Sequence, residues 1–237
     1  MNLPLNTSAN ISDPVAQARY NMIEQQIRPW NVLDADVLEL LSVVRREDFV
    51  PAAHRSLAFM DIEVPLLGDD AEAAVRQGHS MLQPRLEARI LQDLRIQPTD
   101  RVLEIGAGSG YMAALMAHRA ERVVSLEINP ALVSMAQDNL RNAGVRNADV
   151  RQGDGARDAV PDGPFDVIVL SGSVAQVPQN LLALLRDGGR LGAVVGTAPV
   201  MRFTLVRREG ERFVTTSPWD TTAPRLVNFP EPSSFSF

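Results

Sequence analysis

Val102-Leu103-Glu104-Ile105-Gly106-Ala107-Gly108-Ser109-Gly110-Tyr111 sets an apolar, acid-bearing strand directly before three alternating glycines and a helical stretch. Such a turn brings a ligand against bare backbone at the carboxyl edge of a parallel sheet, where open α/β folds bind cofactors. A dinucleotide fingerprint has the form G-x-G-x-x-G/A. Here Tyr111 takes the place that needs a small residue, and the third glycine comes one residue early, so the pattern departs from NAD binding. Glu104 points the same way, because a carboxylate beside the turn repels a pyrophosphate and attracts an ammonium group.

Working outward, short apolar runs alternate with helical stretches after Pro98-Thr99-Asp100, the sign of βαβ units and a parallel sheet. Strands are predicted at Arg101–Ile105, Arg122–Glu127, Ala148–Gln152, Phe165–Leu170 and Gly189–Val195, with helices near Met112–Arg119, Pro130–Asn142 and Gln179–Leu185. Arg202–Arg208 and Arg212–Thr216, around Glu209-Gly210-Glu211, read as an antiparallel hairpin that brings the total to about seven strands. The expected fold is therefore α/β, a doubly wound, mostly parallel, Rossmann-like sheet. Upstream, helices are predicted over Val15–Ile27, over Ala35–Val44 with Asp34 as N-cap, and over Gln83–Leu94. The small, charged stretch from Gly68 to Gly78 reads as an exposed excursion. These boundaries divide the chain into a flexible arm (1–14), a helical and substrate-loop region (15–97), a cofactor domain (98–227) and a loose tail (228–237).

The second strand ends in Glu127-Ile128, about twenty residues beyond the glycine turn, where an acid accepts hydrogen bonds from ribose hydroxyls. The third runs into Gly153-Asp154-Gly155, where a short acid between glycines meets an adenine amino group and leaves room for the ring. A methionine ammonium at Glu104, a ribose at Glu127 and an adenine at Asp154 together describe S-adenosyl-L-methionine. The candidate cofactor residues are Glu104, Gly106, Ala107, Gly108, Gly110, Glu127, Ile128, Asp154 and Gly155.

With E-I-G-x-G-S-G-Y, an acid closing the second strand and G-D-G after the third, the chain resembles the class I methyltransferases. It is similar to the protein-L-isoaspartate O-methyltransferase family over roughly Met22 to Thr216. Met22-Ile23-Glu24-Gln25-Gln26-Ile27, Phe49-Val50-Pro51 and Phe59-Met60-Asp61 before Pro65 match in order and spacing, as does Phe165-Asp166-Val167-Ile168-Val169 leading through Val177-Pro178 to Gly188-Gly189-Arg190. The resemblance implies a methyltransferase sheet with extra N-terminal helices, S-adenosyl-L-methionine as donor, and the abnormal carboxylate of an isoaspartyl residue in damaged protein as acceptor. It departs where the family carries a glycine followed by T-I-S-x-P: the aligned residues are Gly78-His79-Ser80-Met81-Leu82-Gln83-Pro84, with Leu82 in the place of the serine. The substrate-loop candidates are Asp61, which reads equally as a capping or turn residue, and His79, Ser80, Met81, Leu82 and Gln83. Trp30 and Trp219 read as packing groups.

A carboxylate is already ionised at neutral pH, its pKa being about 4, so methyl transfer to it needs no general base and no catalytic dyad is expected. Two other readings stay open: a related methyltransferase with another acceptor and little isoaspartyl activity, and a non-catalytic module that only binds the donor. Leu170-Ser171-Gly172-Ser173 after the fourth strand is neither an N-P-P-Y run nor an acidic metal-binding end, which disfavours base methylation and metal-assisted chemistry.

Composition narrows the partners. The net charge of −6 and the lack of a Lys/Arg cluster disfavour a nucleic-acid partner and favour a protein or peptide substrate. The chain has no cysteine, and its three histidines have no metal-ligand spacing, so no metal is expected. No apolar run approaches the ~20 residues that span a bilayer, and no basic and apolar leader opens the chain, which fits a cytoplasmic protein with no membrane partner.

Overall fold

The computed structural model describes residues 13–231. The 1–14 arm lies almost wholly outside the described residues, as do residues 232–237 of the tail. Asp13 caps α1 (Pro14–Met22) by accepting the Val15 N–H at 3.0 Å, and Pro14 opens the helix where no N–H is needed. The helix widens into a π turn at Ile23–Ile27, tightens at Arg28–Trp30 and stops where Asn31 turns left-handed (φ 65°). Asp34 caps α2 (Ala35–Val43), as its position predicts, bonding the Asp36 N–H at 2.9 Å.

The Gly68–Gly78 excursion holds more structure than its composition suggests. β1 (Val64–Pro65) pairs antiparallel with β2 (Ser80–Met81) and closes it at the base. Between them α3 (Ala71–Arg76) forms because Asp70 caps it through the Ala73 N–H, and Ala74 anchors it by burial. α4 (Pro84–Leu94) follows, its buried stripe running Leu86, Ile90, Leu91 and Leu94.

Then come β3 (Arg101–Ile105), α5 (Tyr111–Ala117), β4 (Arg122–Glu127), α6 (Pro130–Asn142), β5 (Ala148–Gln152), β6 (Phe165–Val174), α7 (Gln179–Leu182), β7 (Leu185–Thr197), β8 (Val200–Glu209) and β9 (Arg212–Asp220). The sheet order is β5-β4-β3-β6-β7-β8-β9, parallel through β7 and antiparallel beyond it. The expected doubly wound sheet is present, with three corrections at its centre. β6 and β7 run past Leu170 and start before Gly189, and the helix expected to reach Leu185 ends at Leu182, because Leu185 pairs with Phe165 inside the sheet.

Alternation along the strands separates two cores. Val102, Val123, Val150 and Val167 pack beneath α4, α5 and α6, while Leu103, Ile105, Val124 and Ile168 pack on the opposite face with α7. The sheet order reverses between β3 and β6, and there the crevice outside the strand ends opens. A final segment, Ala223–Phe229, crosses that crevice. Its Leu226 N–H bonds the Ser173 carbonyl at 2.9 Å, and Phe229 is buried in the second core, which corrects the expectation of a loose tail for its first residues.

Candidate functional site

The turn after β3 is shaped by glycines that no other residue replaces cheaply. Gly106 (φ +89°) and Gly110 (φ +82°) are left-handed, and a Cβ on Gly110 would press to 3.2 Å on Ala136, so this glycine lets α5 and α6 close up. Glu127, at the end of β4, organises the turn. One carboxylate oxygen accepts the Gly108 N–H and the other the Asn129 N–H, both at 2.9 Å. It is nearly buried, yet each oxygen keeps a second lone pair for a ligand hydroxyl. Across the crevice Asp154 accepts the Ala156 N–H at 2.9 Å and the Asn228 side-chain amide at 2.8 Å. Gly155 must be small, since a Cβ there would fall 2.4 Å from Ile105 Cγ2.

Glu104 is fully buried on the helix-covered side of β3. It accepts hydrogen bonds from Ser125 Oγ at 2.6 Å and Ser171 Oγ at 2.7 Å. Burial pushes its carboxyl up to about 7, against the pull of the two serine hydroxyls and with help from the nearby Glu87 and Glu127 charges.

The structure sorts the candidates into three places. Gly106, Gly108, Glu127, Ile128, Asp154, Gly155, His79 and Ser80 line one cleft of about 100 Å³, covered by Leu226 and Phe229. Ala107, Met81, Leu82 and Glu104 line a neighbouring cavity of about 20 Å³ with Ser171, reached also by Gly106, Gly108 and Ser80. Gly110 serves helix packing and lines neither. Asp61 and Gln83 lie outside both: Asp61 pairs with Arg85 at 2.9 Å, and Gln83 faces a third cavity. Burial raises the Asp61 carboxyl above its usual range, although the Arg85 charge pulls it down.

Leu82 points inward and is buried in the core, while Arg46 holds its carbonyl from behind. Arg46 is itself buried, also bonds the Ala58 carbonyl at 3.1 Å, and pairs with Glu87 on α4. The hydroxyl of Ser80 is turned to Glu63 at 3.2 Å, and His79 Nε2 lies 3.2 Å from the Asn129 amide. The residue pattern missed Ser125, Arg46 and the crossing segment with Leu226 and Asn228, whose partners lie far away in sequence. Ser171 sat in plain view at the end of the fourth strand but signalled only which chemistries were absent. Among the described residues no group of three His, Asp or Glu side chains is placed to hold a metal, and no helix is long and apolar enough to cross a membrane.

Comparison with known proteins identifies the family and the fold. The profile of the protein-L-isoaspartate(D-aspartate) O-methyltransferase family matches residues 17–222. A protein-L-isoaspartate O-methyltransferase of Methanoculleus marisnigri is 38% identical over 200 residues, covering 84% of this chain and 87% of its own; one from Herpetosiphon aurantiacus is 35% identical over 219 residues, covering 92% and 91%. Among solved structures, a protein-L-isoaspartate O-methyltransferase superposes with TM-score 0.73 at 24% identity, over 87% of this chain and 65% of that one. A Plasmodium falciparum protein described as a beta-aspartate methyltransferase, in complex with S-adenosyl-L-homocysteine, does so with TM-score 0.70 at 18% identity, over 89% and 97%. At those identities the structures speak for the fold, and the sequence relatives speak for descent. The chain belongs to the protein-L-isoaspartate(D-aspartate) O-methyltransferase family.

Proposed function

We propose that this protein transfers a methyl group from S-adenosyl-L-methionine to a carboxylate of a polypeptide, an isoaspartyl residue in the first instance. The observation that carries the reading is the convergence of the loops after β3, β4 and β5 on one cleft, with Glu127 and Asp154 on its walls. The donor set fits the cofactor: two carboxylates match hydroxyl and amino donors, and glycine at Gly106 and Gly155 keeps the walls at backbone level. The bound cofactor supplies an electrophilic sulfonium methyl.

The protein's own part is alignment and the exclusion of water. An ionised carboxylate acceptor needs no proton removed, so no base is required near the cleft. Holding two reactants in line and shedding their water contributes about 7–11 kcal/mol in favourable cases. The β1–β2 base of the excursion and the loop from Ser80 to Gln83 form the acceptor side, fixed from behind by Arg46. Leu82 offers no hydroxyl to the acceptor, so turnover of isoaspartyl peptide is below that of a relative that carries serine there. The family relationship favours an enzyme acting on other proteins.

Calorimetry with S-adenosyl-L-homocysteine tests the cofactor assignment. Affinity in the micromolar range, about −8 kcal/mol, is expected. Glu127→Ala should weaken it at least tenfold, and saturating NAD should leave it unchanged. Displacement by NAD, or full affinity in Glu127→Ala, would overturn the assignment.

A further inference from the structure

Beyond the first turn of α4 lies a cavity of about 400 Å³ that the methyl-transfer reading does not use. That volume is within the ~300–1,000 Å³ typical of ligand sites. Its walls carry Trp30 and Trp219, each with an arginine of α4 stacked on it: Arg85 at 3.9 Å from the Trp30 ring centroid, Arg89 at 4.6 Å from that of Trp219. Trp219 is locked in place, stacked on Phe203 at 4.7 Å and bonded through its indole N–H to Asp93 at 2.7 Å.

Among the described residues, one arginine of this cavity is left without a direct partner. Arg85 is neutralised by Asp61, and Asp220, on the rim, is taken up by Arg202 at 2.8 Å. Asp93, one turn beyond Arg89, keeps its charge but turns one carboxylate oxygen to the indole and forms no ion pair with Arg89. Arg89 has no ion-pair or hydrogen-bond partner among the described residues, and its stacked face leaves its edge N–H groups free for a planar, two-pronged acceptor.

Two chain segments connect this cavity to the cofactor cleft. Gln83 lines the one and Ser80 the other; Thr222 lines the one and Arg225 the other. Each step is three residues, about 10 Å of extended chain. An extended polypeptide with its reacting carboxylate at the cleft therefore reaches Arg89 with a side chain about three residues away.

We infer that the Trp30–Arg85–Arg89–Trp219 cavity is an acceptor subsite that selects an acidic side chain, glutamate or aspartate, about three residues from the methylated position. The tryptophans cover the aliphatic stem and Arg89 binds the carboxylate. The inference deepens the proposed function and rests on its polypeptide acceptor, but not on the acceptor being isoaspartyl.

The test uses the full chain saturated with S-adenosyl-L-homocysteine and four peptide pairs, glutamate against glutamine three residues to either side of a central isoaspartate or a central asparagine. Calorimetry should show the glutamate peptide binding about tenfold more tightly on one side, with either centre. Arg89→Gln should erase the difference and leave homocysteine-product affinity unchanged. Equal affinities within every pair, or a glutamate preference that survives Arg89→Gln, would overturn the subsite. In a parallel assay with methyl-labelled S-adenosyl-L-methionine in place of the product, a glutamate preference in binding with no label on the isoaspartyl peptides would support the subsite and count against the isoaspartyl acceptor alone.

Discussion

Ser171 Oγ donates to Glu104 at 2.7 Å, a bond that crosses from β6 to the end of β3 at the point where the sheet order reverses. Together with Ser125 it satisfies a fully buried carboxyl that burial has raised to about 7. The sign of the consequence is fixed. Below pH 7 the folded protein holds Glu104 chiefly protonated and neutral, and above it the group is chiefly ionised and would attract the ammonium of a cofactor bound as proposed. Affinity for S-adenosyl-L-homocysteine should therefore rise between pH 6 and pH 8, by up to about tenfold for a group about 10% ionised at the lower end. Glu104→Gln should bind more weakly and lose the slope, and a slope retained in that variant would assign it to another group.

Arg46 and Glu87 form a buried pair behind the substrate loop, and Arg46 also carries the Leu82 and Ala58 carbonyls. Removing one member leaves the other charged or unsatisfied in the core. Arg46→Met should destabilise the fold by about 3–5 kcal/mol in denaturant titration, and Arg46→Met with Glu87→Leu should recover much of the loss. If the double variant is no more stable than the single one, the pair is not the source of the cost.

The resemblance sets Leu82 against a family serine, and its side chain is buried among core residues at the edge of the cavity that Glu104 and Ser171 line. Leu82→Ser should raise kcat/KM on an isoaspartyl peptide several-fold while costing about 2–5 kcal/mol of stability for the lost packing. Steady-state kinetics beside a melting curve separates the two effects. Unchanged turnover in a folded variant would show that the hydroxyl is dispensable here.

What was legible in the sequence was what local rules encode. β3, β4, β5 and α6 begin and end where their residues predict, because Pro130 opens a helix that Asn129 caps, and apolar runs in a parallel sheet are bounded by turns. The cleft residues Gly106, Glu127 and Asp154 were readable for the same reason, each sitting at a strand end. The rest depends on contacts far apart in the chain. β7 starts at Leu185, four residues before the predicted Gly189, because Leu185 finds Phe165. Asn228 reaches Asp154 across 74 residues and Trp219 reaches Asp93 across 126, and no periodicity announces either. Trp30 and Trp219 read as packing groups; Trp219 does pack, on Phe203, yet both also face the third cavity.

The central claim is methyl transfer to a polypeptide carboxylate. Its most direct test incubates the purified protein with methyl-labelled S-adenosyl-L-methionine and either an isoaspartyl peptide or its normal aspartyl counterpart, and measures label released by mild base. Base-labile methyl ester should form on the isoaspartyl peptide, more slowly than with a serine-bearing relative assayed alongside, and not on the aspartyl one. Tight binding of the cofactor with no base-labile ester on the isoaspartyl peptide or on any protein of a whole lysate would contradict the account.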